Sequence, residues 1–309
     1  MFVRRTFHKG KQTICSRELS WPAIATDERL RVGQFRIFDY LISVHTNSTN
    51  MKNSLRIPLL AALLSTAFAG FSQSRSVEYK DGETALQGYF VPAKSKLKKV
   101  PGVVIIHQWM GLTQHEKSVA DKLGAMGYHA LAADIYGVGH MPATTAEAGK
   151  EAGNYKSDYK AFQSRIQAAI DELVKQGADP AQIVVIGYCF GGTGALEAAR
   201  GGLAVKGVVS FHGGLKKDTI RPNEPIGAKV LVLHGADDPY VSPADIAQFR
   251  EEMTDGKADW QMIYYANAVH AFTEPKAGND NSKGAAYNEK ADLRSWEHLK
   301  VFLTEVFGK

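Results

Sequence analysis

Cysteine and long hydrophobic runs are both scarce in this sequence. Only two cysteines, Cys15 and Cys189, occur in 309 residues, so a framework of several disulfides is excluded. The longest apolar run, near residue 60, has about a dozen residues, short of the roughly 20 that span a bilayer as a helix. Loops that cradle phosphates or dinucleotides and metal-ligand spacings of His, Cys and carboxylates are also missing. The sequence therefore predicts no cofactor and no metal.

A strong net charge of one sign is also lacking in the chain after residue 69. The formal net charge is +5, but residues 1–69 hold 10 Lys and Arg against 4 Asp and Glu, and the remainder holds 27 against 28. A basic surface that binds nucleic acid is therefore not expected in residues 70–309. The 44% of hydrophobic residues can form a large core, which excludes disorder as a global description.

The apolar run belongs to a pattern typical of a secretory signal peptide. A cationic stretch with Lys52 and Arg56 precedes it, and the small-x-small ending Ala67-Phe68-Ala69 follows. Such a segment is removed from the mature protein. We expect a signal peptide over residues 51–69, with cleavage after Ala69.

Fifty residues precede this pattern, whereas a signal normally opens the chain. We therefore expect translation to start at Met51 and residues 1–50 to be an upstream extension. The mature protein, residues 70–309, would be a single domain exported to the periplasm or secreted, without a stable membrane span. Cys189 would then be its only cysteine, so no intramolecular disulfide could form.

Strand and helix patterns alternate along the remaining chain. Three continuous apolar runs are typical of parallel strands buried on both faces, and two alternating segments around an Asp81-Gly82 turn predict an edge hairpin. The alternation predicts a doubly wound, mostly parallel α/β sheet with helices on both faces. The predicted strands are Ser76–Lys80, Thr84–Val91, Val100–His107, His129–Ile135, Ile183–Tyr188, Val205–Ser210, Lys229–His234 and Asp259–Tyr265. The predicted helices are Gln114–Met126, Asp158–Gln176, Gly192–Arg200, Pro243–Met253 and Ala285–Phe307.

One strand runs directly into the segment Gly187-Tyr188-Cys189-Phe190-Gly191. This is the G-x-S-x-G pattern of a nucleophile elbow with sulfur in place of the hydroxyl. The glycines leave room for a sharp turn, and the thiol would lie at a helix N-terminus, which favours the thiolate. The backbone N–H of Phe190 would face an oxyanion formed next to the sulfur.

An elbow of this kind requires an acid and then a histidine later in the chain. Asp237 and Asp238 follow one predicted strand, and His270 follows the next. Because the carboxyl ends of parallel strands meet at one edge of a sheet, we expect these groups to lie near Cys189. Asp238 is favoured as the acid, with Asp237 as the alternative.

At this point the chain resembles the dienelactone hydrolase family, whose members have the α/β-hydrolase fold and a Cys-Asp-His triad. The similarity covers roughly residues 75–307. The resemblance implies that the triad is Cys189, Asp238 and His270, and that the second oxyanion donor is the backbone N–H of Trp109. It rests on the motifs His107-Gln108-Trp109-Met110-Gly111-Leu112, Ala133-Asp134-Ile135-Tyr136, Gly187-Tyr188-Cys189-Phe190-Gly191-Gly192, His234-Gly235-Ala236-Asp237-Asp238-Pro239-Tyr240-Val241, Ala268-Val269-His270-Ala271-Phe272 and Arg294-Ser295-Trp296.

Two positions depart from this family pattern. Many members have a glutamate where this chain has Gln108, and that glutamate is proposed to gate the resting cysteine. Here either the thiol pairs permanently with His270 or the gating is lost. The lactone-cleaving members have a carboxylate-binding arginine where this chain has Glu274, and an acidic residue there would repel an anionic substrate.

The sequence thus predicts a hydrolase that cleaves a small ester or lactone through an acyl-cysteine. Gln108, Tyr136 and Phe272 are expected to contact the substrate. Two other functions fit the fold, namely a binding protein without catalysis and a thiol redox protein, although the redox function would lack a resolving cysteine. His107, His212 and His234 close strands and are expected to be structural.

Overall fold

A computed structural model describes residues 73–308. The expected upstream extension and signal peptide, residues 1–69, lie outside the described residues. Within residues 73–308, no helix combines the length and apolar character needed to cross a membrane.

Eight strands form one sheet in the order β1-β2-β4-β3-β5-β6-β7-β8. β1 and β2 form an antiparallel hairpin, and β2 pairs antiparallel with β4. All other neighbours are parallel, as expected for a sheet built from right-handed crossovers. The strands are β1 (Arg75–Asp81), β2 (Thr84–Val91), β3 (Val100–Ile106), β4 (His129–Ala133), β5 (Ala178–Tyr188), β6 (Gly207–Phe211), β7 (Lys229–Gly235) and β8 (Trp260–Tyr265).

Helices cover both faces of the sheet, and each face has its own apolar core. Helices α1 and α6 pack on one face, where their leucines and valines meet side chains of β3, β5, β6 and β7. Helices α3, α4 and α5 pack on the other. The helices are α1 (Gln114–Ala125), α2 (Thr145–Ser157), α3 (Tyr159–Lys175), α4 (Phe190–Arg200), α5 (Pro243–Asp255) and α6 (Glu289–Phe307).

The predicted fold class is confirmed, and the differences are local. Helix α2 was not predicted, because Gly149 and Gly153 weaken its helical pattern. Helix α6 begins at Glu289, four residues after the predicted start, because Ala285 instead pairs with His270 in a β-bridge.

The central parallel strands determine where the site forms. Cys189 follows β5, Asp238 lies three residues after β7, and His270 lies five residues after β8. Since β5 to β8 are consecutive parallel neighbours, their carboxyl ends lie along one edge of the sheet. Ligands of open α/β sheets bind at this edge.

Candidate active site

The turn from β5 to α4 holds Cys189 in a strained conformation. Its backbone has φ 54° and ψ −112°, which few residues with a side chain adopt. The flanking glycines are required sterically. A Cβ atom on Gly187 would lie 2.0 Å from the carbonyl oxygen of Gly191, and one on Gly191 would lie 2.2 Å from that of Ile106. The spacing of these glycines therefore reflects contacts with α4 and with β3.

Three side chains form a hydrogen-bonded chain at the sheet edge. The Sγ of Cys189 lies 3.0 Å from Nε2 of His270, and His270 Nδ1 lies 2.9 Å from Oδ2 of Asp238. The other carboxylate oxygen of Asp238 accepts the backbone N–H of Tyr240. Asp238 is buried, whereas Asp237 is exposed, so the structure places Asp238 beside the imidazole.

The protonation of the sulfur and the imidazole is coupled. Burial favours the neutral thiol, but the hydrogen bond and charge of His270 outweigh it and hold the pKa of Cys189 below its usual value. Burial lowers the pKa of His270, yet bonds to Asp238 and to the sulfur raise it to about 10. The contact therefore favours a thiolate paired with an imidazolium. Of the two alternatives left by Gln108, the structure has the thiol paired with His270.

Two backbone N–H groups are candidates for an oxyanion site. The N–H of Phe190 interacts with Cys189 Sγ and helps to lower its pKa. Within residues 73–308, the N–H of Trp109 has no hydrogen-bond partner. An unpaired donor on the loop after β3 is suited to an oxygen that becomes negative during a reaction.

The loop carrying Trp109 is fixed by buried polar groups. His107 Nδ1 donates to the carbonyl of Gln108 at 2.6 Å, and the Gly111 N–H donates to the same oxygen. Glu116, which is fully buried, accepts from the N–H of Gln108 and from Thr113. The peptide that presents the Trp109 N–H is thus fixed through the Gln108 carbonyl, and Glu116 fixes the peptide before it.

The two positions that depart from the family pattern contact each other. Gln108 Nε2 donates to Oε2 of Glu274 at 3.1 Å, and His115 Nδ1 lies 3.5 Å from the same oxygen. The other oxygen of Glu274 accepts the backbone N–H of Lys276. The carboxylate is therefore held at one place next to the loop of Trp109.

A cavity of about 1160 Å³ opens onto these groups, and both Cys189 and His270 line it. Gln108, Trp109 and Glu274 line it as well. The structure thus places Gln108 where a substrate contact was expected.

Two expected substrate contacts are not part of this cavity lining. Phe272 is fully buried and packs against the rings of His212 and Tyr265. Tyr136 is 4% exposed, and its hydroxyl donates to the carbonyl of Trp109. Both side chains point into the packing behind the site, so their expected contact with a substrate is corrected to support of the surrounding loops.

The three histidines that close strands are buried, as a structural role requires. His107 accepts the N–H of Ile135 at Nε2 and so joins two loops. His212 lies between the elbow and Thr273. His234 has its ring against Tyr264.

Sequence reasoning missed several residues of the site. Glu116 carries a signal, since the Thr113-x-x-Glu116 capping box marks the start of α1 and its carboxylate also holds the loop. Tyr240 places its ring edge-on to His270, and Leu293 and Trp296 reach the cavity from α6. These contacts join distant parts of the chain, and no spacing in the sequence indicates them.

The sheet order, the strand-to-helix turn at the cysteine and the order of the later acid and histidine define an α/β hydrolase. The model of the dienelactone hydrolase family matches residues 86–307. The chain belongs to that family and is a hydrolase of esters or lactones.

Several relatives and solved structures resemble the chain over most of its length. A Bradyrhizobium protein named a probable 2-oxo-3-(5-oxofuran-2-ylidene)propanoate lactonase is 27% identical, covering 66% of this chain and 84% of its own. The solved structure titled m3DLH is 35% identical with a TM-score of 0.72, covering 76% of this chain and 98% of that one. The dienelactone hydrolase-like promiscuous phosphotriesterase P91 from metagenomic libraries is 37% identical with a TM-score of 0.71 and the same coverage.

Proposed function

We propose that Cys189 is the nucleophile of this hydrolase and that the reaction passes through an acyl-cysteine. The thiolate attacks the carbonyl carbon of an ester or lactone and forms an S–C bond. The carbonyl oxygen becomes an oxyanion held by the N–H groups of Trp109 and Phe190. The C–O bond to the alcohol then breaks, and His270 Nε2 gives its proton to the leaving oxygen.

Hydrolysis of the acyl-cysteine completes the cycle. The thioester carries no charge, so His270 loses its ionic partner and can accept a proton from water at Nε2. The resulting hydroxide attacks the thioester carbonyl, the S–C bond breaks, and the acid is released. Asp238 keeps Nδ1 of the imidazole protonated, so that Nε2 remains the atom that exchanges protons.

The contact that carries this proposal is the 3.0 Å distance between Cys189 Sγ and His270 Nε2. A purely structural cysteine gains nothing from an imidazole bonded to a buried carboxylate, and a redox thiol does not require the free N–H of Trp109. The ordered cavity at the sulfur gives the substrate access to it.

Rapid mixing with p-nitrophenyl acetate tests the proposal. We expect a burst of p-nitrophenol close to one equivalent per protein, followed by slower turnover. After acid quench, mass spectrometry should find one acetyl group on the peptide containing Cys189. The Cys189→Ala variant should fold normally and lose turnover by about 10³-fold or more. Full turnover by that variant, or acetylation of another residue only, would contradict the proposal.

We also propose that the enzyme acts after export. The support is the pattern of residues 51–69, with its cationic start, apolar run and Ala67-Phe68-Ala69 ending. N-terminal sequencing of the protein from its native source should find Gly70 as the first residue. A mature start before Ser54 would contradict processing at this site.

A further inference from the structure

The cavity is larger than a small lactone requires. Its volume of about 1160 Å³ lies at or above the upper end of the 300–1,000 Å³ that is usual for small-molecule sites. Cys189 and His270 are part of its lining, but the lining also reaches Leu293 and Trp296 on α6. The space beyond the reacting groups is therefore large enough for a further part of a substrate.

Large apolar side chains line much of this space and several are exposed. Trp109 is 38% exposed, Tyr240 63% and Leu293 62%. Helices α1 and α6 meet here, since Lys122 Nζ lies 5.2 Å from the ring centre of Trp296. Large apolar groups that stay exposed around one cavity usually mark a binding surface. Six of the apolar residues that line the cavity are Trp109, Met110, Val119, Tyr240, Leu293 and Trp296, and we call this set the apolar wall.

The charged side chains around the cavity give no net preference for an ion. Three lysines face it together with three carboxylates, and Cys189 and His270 together carry no net charge whether their shared proton is on the sulfur or on Nε2. Among the acids, Glu274 already receives hydrogen bonds from Gln108 and from the backbone of Lys276. The charged lining residues are Lys122, Lys156, Lys276, Glu274, Asp292 and Glu297.

We propose that the substrate is an uncharged ester with an extended alkyl or aryl group, and that this group binds along the apolar wall. The proposal rests on the proposed function, because Cys189 must attack the ester for the wall to matter. The apolar group is the occupant of the wall because the wall and the thiolate line one continuous cavity. Removing such a group from water favours binding by up to about fourfold for each methylene.

Two ester series test the proposal. One is p-nitrophenyl esters from acetate to decanoate, which lengthens the acyl side. The other is alkyl acetates from ethyl to octyl, which lengthens the alcohol side. All concentrations stay below those at which the esters aggregate. We expect kcat/KM to rise at least about tenfold between the shortest and the eight-carbon member of one series.

A matched pair of variants on α6 locates the effect. Leu293 lines the cavity, whereas Val301, which is 67% exposed on the same helix, does not. Leu293→Asn should reduce kcat/KM for the eight-carbon ester at least about fivefold more than it reduces kcat/KM for the shortest ester. Val301→Asn should change neither. Thermal unfolding of both variants checks that the helix is intact.

The outcomes separate this proposal from the proposed function. If no ester of either series is turned over, the proposed function fails. If short esters are turned over and length brings no gain in either series, the proposal for the apolar wall is overturned. It is also overturned if length brings a gain that Leu293→Asn and Val301→Asn alter equally.

Discussion

The backbone N–H of Cys189 donates a hydrogen bond to Nδ1 of His212 at 3.2 Å. The other ring nitrogen of His212 donates to Oγ1 of Thr273, 2.8 Å away, on the loop that carries His270. Burial, together with the charge of His270, holds the pKa of His212 well below its usual value. This neutral imidazole therefore ties the loop of the nucleophile to the loop of its partner.

Replacement of His212 should loosen the contact between Cys189 and His270. We expect His212→Phe to lower kcat about tenfold or more with little change in KM, because positioning of the reacting groups is lost while the cavity remains. Alkylation of Cys189 by iodoacetamide should also shift to higher pH. His212→Asn, which retains a donor and an acceptor, should recover part of both.

His234 supplies the control for this experiment. It is nearly as buried as His212 and closes the next strand. Its ring, however, packs against Tyr264, and within the described residues its Nδ1 has no hydrogen-bond partner. His234→Phe should leave the alkylation profile unchanged. Equal shifts in the two phenylalanine variants would mean that His212 only fills space.

The pH dependence of Cys189 follows from its ion pair with His270. In the wild type, alkylation should be half-maximal below pH 8.5 or so, the usual thiol value. In His270→Ala the burial of the sulfur remains without its counter-charge, so the midpoint should move above that value. Ester kcat/KM of the wild type should fall near pH 10 as the imidazolium loses its proton, while alkylation should not. A midpoint unaffected by His270→Ala would refute the ion pair.

Glu274 should disfavour anionic substrates. Its carboxylate is held by Gln108 next to the loop of Trp109, so a carboxylate on the substrate would meet a like charge. We expect Glu274→Gln to raise the ratio of kcat/KM for the p-nitrophenyl monoester of glutaric acid over p-nitrophenyl butyrate by up to about tenfold. Glu297→Gln, which changes an exposed acid of the same cavity, should change this ratio less. An unchanged ratio in Glu274→Gln would place Glu274 away from the bound acyl group.

Arg200 should be important for stability and not for chemistry. Its guanidinium is almost fully buried and pairs with Glu197 and Glu252, and it also donates to the carbonyl of Leu215. Arg200→Ala removes one charged partner from each of two buried carboxylates, and Glu197 then keeps Arg221 while Glu252 keeps Lys217. We therefore expect the free energy of unfolding to fall by about 3 kcal/mol in urea titrations, the lower end of the range for broken buried ion pairs. Lys175→Ala removes an ion pair whose lysine is exposed and should cost at most about 1 kcal/mol. A loss below 1 kcal/mol for Arg200→Ala would contradict this account.

The sequence allowed the fold and the central contacts to be predicted for definite reasons. Buried parallel strands are continuous in apolar character, and the spacing of Gly187 and Gly191 around Cys189 follows from atoms that a Cβ would strike. Since Asp238 and His270 follow parallel strands, their meeting follows from the topology.

Other features depend on where side chains point, which is determined only in the folded chain. Phe272 and Tyr136 follow strands at the same edge but turn into the core, and sequence position does not distinguish the two directions. The bond between Gln108 and Glu274 joins residues 166 positions apart. Helix α2 has two interior glycines and is stabilised by packing rather than by its own propensity.

Because hydrogen bonds to a later segment hold His270 in place, the reactivity of the Cys189 thiol indicates whether that segment has folded. Its N–H donates to Gly284, and its carbonyl accepts from Ala286, so the imidazole is fixed only when a segment beyond β8 has docked. A nascent or truncated chain that ends before that segment would carry a cysteine of ordinary acidity. Rapid labelling by iodoacetamide at neutral pH would then identify the molecules in which the segment around Gly284 and Ala286 has docked on His270.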